Sequence, residues 1–233
     1  MARPFTILIK PSGPDCNIDC TYCFYSCKHT LFGSGAHRMS RETLDKLIRG
    51  YLNLRFPVNV FSWQGGEPTL MGLDFYKNAV HLQQLHSAPD QVVSNTFQTN
   101  GILLNRDWCQ FLAEQKFLCG ISLDGPREYH DFYRKDRQGN GTYDRVLTAI
   151  GHCRRNKVEF NILTLLNDRN VNNPDELFDY FTSEDFLYLQ FVPCIEKNPD
   201  VPSQPAPFSI TPRQYGRFLC RFFDRWYDGW TRK

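Results

Sequence analysis

The sequence predicts an α/β fold, a partial, open (β/α)6 TIM-like barrel of parallel strands. Short runs rich in Val, Ile, Phe or Leu alternate with longer amphipathic stretches, and each short run gives way to Gly, Pro, Asn or Asp. Strict alternation of strand and helix patterns implies parallel strands joined by right-handed crossovers. Six such units fall short of the eight that close a full barrel. A doubly wound flat sheet has the same alternation and stays open as the second architecture. In both, ligands bind at the C-terminal ends of the strands, so the informative residues should lie just after each one.

The predicted strands are Phe5–Lys10, Val58–Trp63, Val92–Gln98, Phe117–Leu123, Val158–Leu165 and Leu187–Val192. The predicted helices are Arg41–Leu54, Leu73–His86, Arg106–Gln115, Tyr143–Asn156, Pro174–Thr182 and Pro212–Asp228. Ser40 before Arg41-Glu42, and Asn173 before Pro174-Asp175-Glu176, offer N-caps with early acids. Leu44, Leu47, Ile48 and Tyr51 share one face of the first helix, the spacing of a stripe packed on a sheet. Glu196–Pro207, with four prolines, is the one linker-like stretch.

A chain of 233 residues can bury roughly 70 % of its unfolded surface without disulfides. Apolar residues at 41 % and charged residues at 22 % are ordinary globular values, which argues against disorder. A net charge of +2 with no basic stripe argues against a nucleic-acid partner, and no apolar run is long enough to cross a membrane. The first residues lack the apolar stretch of a signal peptide, so the nine cysteines are expected in a reducing cytoplasm, as metal ligands or buried thiols.

The strongest chemical signal follows the first strand, in Cys16-Asn17-Ile18-Asp19-Cys20-Thr21-Tyr22-Cys23. Three thiolates this close can wrap one metal centre, and thiolate ligation is how proteins hold iron-sulfur clusters. On a four-iron cube, three cysteines leave one iron for a substrate or cofactor. Zinc is the competing reading, with Cys27 as fourth ligand, although a well-separated second pair is missing. If Cys27 bound the cube the open iron would be lost, so it is read as a nearby thiol.

C-x3-C-x2-C with an aromatic before its last cysteine, after the first strand of a βα-repeat chain, resembles the radical S-adenosylmethionine (SAM) enzymes. The resemblance implies a [4Fe-4S] cluster on Cys16, Cys20 and Cys23, with SAM on the open iron. Reductive cleavage of SAM would then give a 5′-deoxyadenosyl radical that abstracts hydrogen, the protein supplying orientation and solvent exclusion. Gln64-Gly65-Gly66-Glu67-Pro68 resembles the family's GGEP motif, which implies SAM-amino contacts for Gly65, Gly66 and Glu67. Ser122 and Arg134 are implied to bind the SAM carboxylate, with a solvated surface charge as the other reading of Arg134. Tyr22 and Ile195 are implied to cover adenine, with core packing as the other reading of both. Asn100-Gly101 and Asp124-Gly125 read as ordinary turns.

Within that superfamily the chain most resembles the anaerobic sulfatase-maturating enzymes. The matching pieces are Ile-Lys-Pro-Ser-Gly before Cys16, Cys-x-Tyr-Cys-Phe-Tyr, Trp-Gln-Gly-Gly-Glu-Pro-Thr-Leu, Phe-Gln-Thr-Asn-Gly and Ile-Ser-Leu-Asp-Gly-Pro. The resemblance implies oxidation of a sulfatase Cys or Ser to Cα-formylglycine, a peptide or protein substrate, and a reductant such as flavodoxin or ferredoxin. It also implies one radical SAM core domain over residues 1–233, without the auxiliary-cluster (SPASM-type) domain that carries the family's catalytic aspartate. No catalytic base is therefore assigned. Cys109, Cys119, Cys153, Cys194 and Cys220 are dispersed and read as small buried hydrophobes. The histidines, His29, His37, His81, His86, His130 and His152, read as solvated or helix-surface residues.

Overall fold

A computed structural model describes residues 3–25, 29–33, 35–198, 200–201 and 203–231. Cys27 lies outside the described residues. The elements are β1 (Ile7–Ile9), β2 (Ile18–Cys20), α1 (His29–Phe32), α2 (Arg41–Leu52), β3 (Val58–Trp63), α3 (Leu73–His86), β4 (Val92–Thr99) and α4 (Arg106–Glu114). They continue with β5 (Leu118–Ser122), α5 (Arg127–Tyr133), β6 (Arg134–Asp136), α6 (Tyr143–Arg155), β7 (Phe160–Leu166), α7 (Pro174–Ser183), β8 (Leu189–Pro193) and α8 (Pro212–Thr231). The six-stranded sheet runs β1-β3-β4-β5-β7-β8. This is the α/β, partial (β/α)6 fold that the alternation predicts.

The chain folds as two compact units. The first comprises Met1–Asn17, Lys28–Ile121 and Leu147–Phe160; the second comprises Ile18–Cys27, Ser122–Val146 and Asn161–Lys233. In the first, β1 pairs with β3, β3 with β4 and β4 with β5, all parallel. Burial alternates along β3, so Asn59, Phe61 and Trp63 face inward. Trp63, Tyr76, Phe97 and Trp108 meet with ring centroids 5.0–5.7 Å apart. Burying each such ring contributes about 1.5–3 kcal/mol. The indole N–H of Trp63 would be an unpaired donor here, and Asn95 accepts it at 2.8 Å while exchanging hydrogen bonds with Gln83. Ser40 caps α2 by accepting from the Thr43 amide at 3.1 Å. The helix buries Leu44, Ile48, Tyr51 and Leu52, with Leu47 half-buried.

In the second unit β7 pairs with β8 in parallel, and β2 pairs with β6 antiparallel, setting Cys20 opposite Arg134. Helices α7 and α8 share the rings of Phe178 and Phe222, 5.3 Å apart, and the Arg225–Asp175 ion pair at 2.7 Å. Asn173 does not cap α7 with its side-chain oxygen; its amide donates instead to the Arg169 carbonyl at 3.2 Å.

The predicted strands and helices are all present. Among the described residues five elements were not predicted: β2, β6, α1, α5 and a 3-10 turn over Pro68–Met71. The longest of these, α5, has seven residues, and β2 and β6 have three each, too few for a period to show.

Candidate cofactor site

The predicted site residues divide between the units. Cys16, Gly65, Gly66 and Glu67 belong to the first, and Cys20, Tyr22, Cys23, Ser122, Arg134 and Ile195 to the second.

In the first unit, the turn after β3 is docked on the segment leading to Cys16. The Gly66 amide donates to the Gly13 carbonyl at 2.9 Å, and the Glu67 amide to the Asp15 carbonyl at 2.7 Å. Ser12 returns a hydroxyl to the Glu67 carbonyl at 3.0 Å. Gly66 is required by closeness, because a Cβ there would lie 2.0 Å from the Asp15 oxygen. Gly65 is required by its φ of +128°. Asp15 is held from outside by the His37 ring at 2.8 Å and by Arg38 at 2.6 Å.

Glu67 is fully buried. Its Oε1 accepts from the Thr69 amide at 3.0 Å, the Thr69 hydroxyl at 2.6 Å and the Thr99 hydroxyl at 2.7 Å. Its Oε2 accepts from the Asn100 amide at 2.8 Å. Burial raises the carboxyl's pKa, and the hydrogen bonds oppose that rise without cancelling it. The Glu67 carboxylate therefore ties the turn after β3 to the end of β4. Asn100 in turn donates its side-chain amide to Asn17 Oδ1 at 2.7 Å and to Cys16 Sγ at 3.6 Å.

In the second unit, the Cys23 amide donates to the Cys20 carbonyl at 2.9 Å, closing a turn around Tyr22. Tyr22 is buried, packs 5.2 Å from the Tyr133 ring and donates its hydroxyl to Asp124. Arg134 grips Asp124 through two bonds of 3.0 Å each, and its guanidinium lies 5.5 Å from the centre of the Tyr22 ring. Burial works against the Arg134 cation, and Asp124 and its neighbours outweigh that, holding its pKa well above the ordinary value. At 9 % exposure, Arg134 is not a solvated surface charge. Asp124 also accepts from the Leu165 amide at 3.0 Å, and its own carbonyl accepts from Asn170 at 3.1 Å.

His130 completes a closed ring of bonds around this pair. The Asp124 amide donates to His130 Nδ1 at 3.4 Å, and His130 Nε2 meets Thr142 Oγ1 at 3.0 Å. Thr142 donates to the Arg134 carbonyl at 2.8 Å, so its oxygen accepts from His130 and the imidazole is the neutral, Nε2-protonated tautomer. Ser122 ends β5 half-buried, and Ile195 is 72 % exposed just after β8.

Three sequence expectations are corrected. His130 is fully enclosed rather than solvated, and burial depresses its pKa to about 3. Cys109 and Cys153 are separated by 44 residues in sequence, yet their sulfurs lie 3.6 Å apart in the first unit. Cys220 is exposed on α8, whereas Cys109, Cys119, Cys153 and Cys194 are buried as expected. The roles of Asp124 and Asn100 were missed because Asp-Gly and Asn-Gly dipeptides suffice for turns. Their position at strand ends was the available signal.

An iron-sulfur cluster fits the donor set: Cys16, Cys20 and Cys23 fall within eight residues and none is in a disulfide. Asn17 Nδ2, on the residue next to Cys16, is a buried donor with no partner among the described residues. Among those residues, no group of three His, Cys, Asp or Glu side chains stands ready to hold a metal ion by itself. Among the described residues no helix is long and apolar enough to cross a membrane.

A partial (β/α)6 fold with C-x3-C-x2-C after its first strand and Gly-Gly-Glu after β3 defines a class. The chain belongs to the radical SAM superfamily, whose family model matches residues 11–181. It is 37 % identical to the serine-type anaerobic sulfatase-maturating enzyme of Bacteroides thetaiotaomicron, over 97 % of this chain and 58 % of that protein. It is also 37 % identical to the cysteine-type enzyme of Clostridium novyi, over 97 % of this chain and 60 % of that one. A solved structure of native anSMEcpe with bound AdoMet and Cp18Cys peptide superposes with a TM-score of 0.89 at 36 % identity. The match covers 99 % of this chain and 62 % of that one. The chain thus spans about three-fifths of the relatives it matches.

Proposed function

We propose that this chain is the cluster- and SAM-binding part of an anaerobic sulfatase-maturating enzyme, which oxidises a Cys or Ser side chain of a sulfatase to Cα-formylglycine. The observation that carries the proposal is the Cys16 loop docked on a Gly-Gly-Glu turn whose carboxylate is buried, the arrangement expected for a loop that must hold its thiolates still. Cys16, Cys20 and Cys23 would hold a [4Fe-4S] cluster, and SAM would occupy its open iron. Together these groups supply one-electron chemistry that ends in abstraction of a substrate hydrogen.

The residues of this chain bind and orient. Gly65 and Gly66 offer backbone at a close approach, while Glu67 holds that backbone in place from behind. Ser122 offers a hydroxyl, and Arg134 a guanidinium held by Asp124, for the SAM carboxylate. Tyr22 and Ile195 offer apolar surface for adenine. The peptide substrate, a flavodoxin- or ferredoxin-type reductant and a cytoplasmic setting belong to the same proposal, as does a core domain over residues 1–233.

Anaerobic reconstitution of the full chain with iron and sulfide tests it. The expected result is a reducible cluster, SAM cleavage once reduced, loss of both in Cys16→Ser, and formylglycine formation on a sulfatase peptide. A reconstituted chain that takes up iron but never cleaves SAM refutes the proposal. Cleavage without any peptide product refutes the maturation assignment alone.

A further inference from the structure

The Asn100 side chain occupies a position that a turn residue does not need. Its Oδ1 accepts from the Ile102 amide at 3.1 Å. A backbone N–H can only donate, so this bond fixes the orientation of the carboxamide and directs Nδ2 toward Cys16 and Asn17. The two Nδ2 hydrogens then have separate acceptors, Asn17 Oδ1 at 2.7 Å and Cys16 Sγ at 3.6 Å. The backbone at Asn100 is fixed as well, by the buried Glu67 carboxylate, and the residue is only 7 % exposed.

The thiol state of Cys16 can donate to Asn17 Oδ1, 3.8 Å away. A metal-bound thiolate carries no proton, so that bond disappears, whereas the bond from Asn100 gains a charged acceptor and strengthens. Asn17 is oriented in its turn: its oxygen faces Asn100, which places its unpartnered Nδ2 on the other side of the carboxamide. Of the two side chains, it is Asn100 that presents a donor to Cys16 and so favours negative charge there, whereas Asn17 turns its oxygen toward the sulfur.

We infer that Asn100 is a positioning residue that raises the reduction potential of the cluster through its N–H···S bond to Cys16. The inference rests on the reading of Cys16 as a cluster ligand and goes beyond it by naming what tunes that ligand. Hydrogen bonds to the ligating sulfurs are among the factors that set cluster potentials, because donors stabilise the extra negative charge of the reduced state. Removing one donor therefore lowers the potential.

Redox titration of the anaerobically reconstituted full chain, followed by electron paramagnetic resonance, reads this directly. Asn100→Ala removes the donor. Asn100→Asp is nearly isosteric, keeps an acceptor for the Ile102 amide and replaces the donor with a carboxylate. The expected result is a shift of about tenfold in the reduction equilibrium for Asn100→Ala, which is about 59 mV for a one-electron couple, and a larger negative shift for Asn100→Asp. Potentials in both variants that match wild type, or rise, at equal iron content overturn the inference and leave the ligand reading intact. So does loss of iron from folded Asn100→Asp, since Asn100 would then retain the cluster rather than tune it. A wild-type chain that takes up no cluster overturns the ligand reading, and the inference falls with it.

Discussion

Replacing Gly66 by alanine should unseat the Cys16 loop. The added Cβ would stand 2.0 Å from the Asp15 oxygen and 2.5 Å from both the Asp15 carbonyl carbon and the Pro14 oxygen, all backbone atoms that cannot swing aside. Restoring ordinary contact at 3.4 Å requires a shift of roughly 1.4 Å, the difference between the two distances. That shift stretches two hydrogen bonds, Gly66 to Gly13 at 2.9 Å and Glu67 to Asp15 at 2.7 Å, beyond useful length. Each contributes about 1 kcal/mol net, and overpacking adds about 1–3 kcal/mol, so the loss should be about 3–5 kcal/mol. Gly50→Ala is the control, because nothing lies within 4 Å of its added methyl and it sits inside α2. It should stabilise by roughly 0.5–1 kcal/mol. Urea denaturation measures both, and iron content after reconstitution reports whether Cys16, one residue beyond Asp15, still ligates. Equal stability of the two variants would refute the close-approach argument. A destabilised Gly66→Ala that binds iron normally would refute the claim that this turn positions the ligand loop.

Three further outcomes follow from the second unit and from the thiols. Asp124→Asn weakens the partner of a buried guanidinium and should cost about 3–5 kcal/mol, while adding Arg134→Met should recover part of that loss; urea midpoints of the single and double variants decide it. His130 titrates near the ordinary 6.5 when unfolded and at about 3 when folded, so between those values the unfolded chain binds more protons and stability falls as pH falls. The slope from this group should reach about 1.4 kcal/mol per pH unit, and His130→Gln should flatten the urea-midpoint profile over that window. Alkylation with peptide mapping should modify Cys220 in the native chain, whereas Cys109, Cys119, Cys153 and Cys194 should react only on unfolding; native labelling of Cys119 would contradict its full burial.

The architecture was legible because each strand-helix unit carries its own period and its own stop signal. Leu44, Ile48 and Tyr51 declare the buried face of α2 without reference to any other element. The cysteine spacing and the Gly-Gly-Glu turn were legible for the same reason: each is a local string with a local function. What stayed hidden was long-range. Tyr22 and Asp124 are 102 residues apart, Glu67 and Asn100 are 33 apart, and Cys109 and Cys153 are 44 apart. A hydrogen bond across such distances leaves no period, and its partners are residue types that have ordinary local uses. His130 is the clearest case. A histidine one turn into a short polar helix looks solvated until the fold sets Thr142 and the Asp124 amide against its two ring nitrogens.

The two buried carboxylates reveal how the fold separates holding from binding. Glu67 and Asp124 each follow a strand, each is fully buried, and each accepts from backbone amides and side chains together. A carboxylate with its lone pairs already engaged has little left for a ligand, so its contribution must pass through the groups it holds. For Glu67 those groups are the Thr69 and Asn100 amides, and through Asn100 the bond to Cys16. For Asp124 they are Tyr22, within the turn from Cys20 to Cys23, and Arg134, on the strand that pairs with Cys20. Each unit thus spends one buried anion on fixing the side of the cysteine loop that falls within it. Hydrogen bonds already present in the protein offset part of the cost of burying that charge, and for Glu67 they do so without cancelling it.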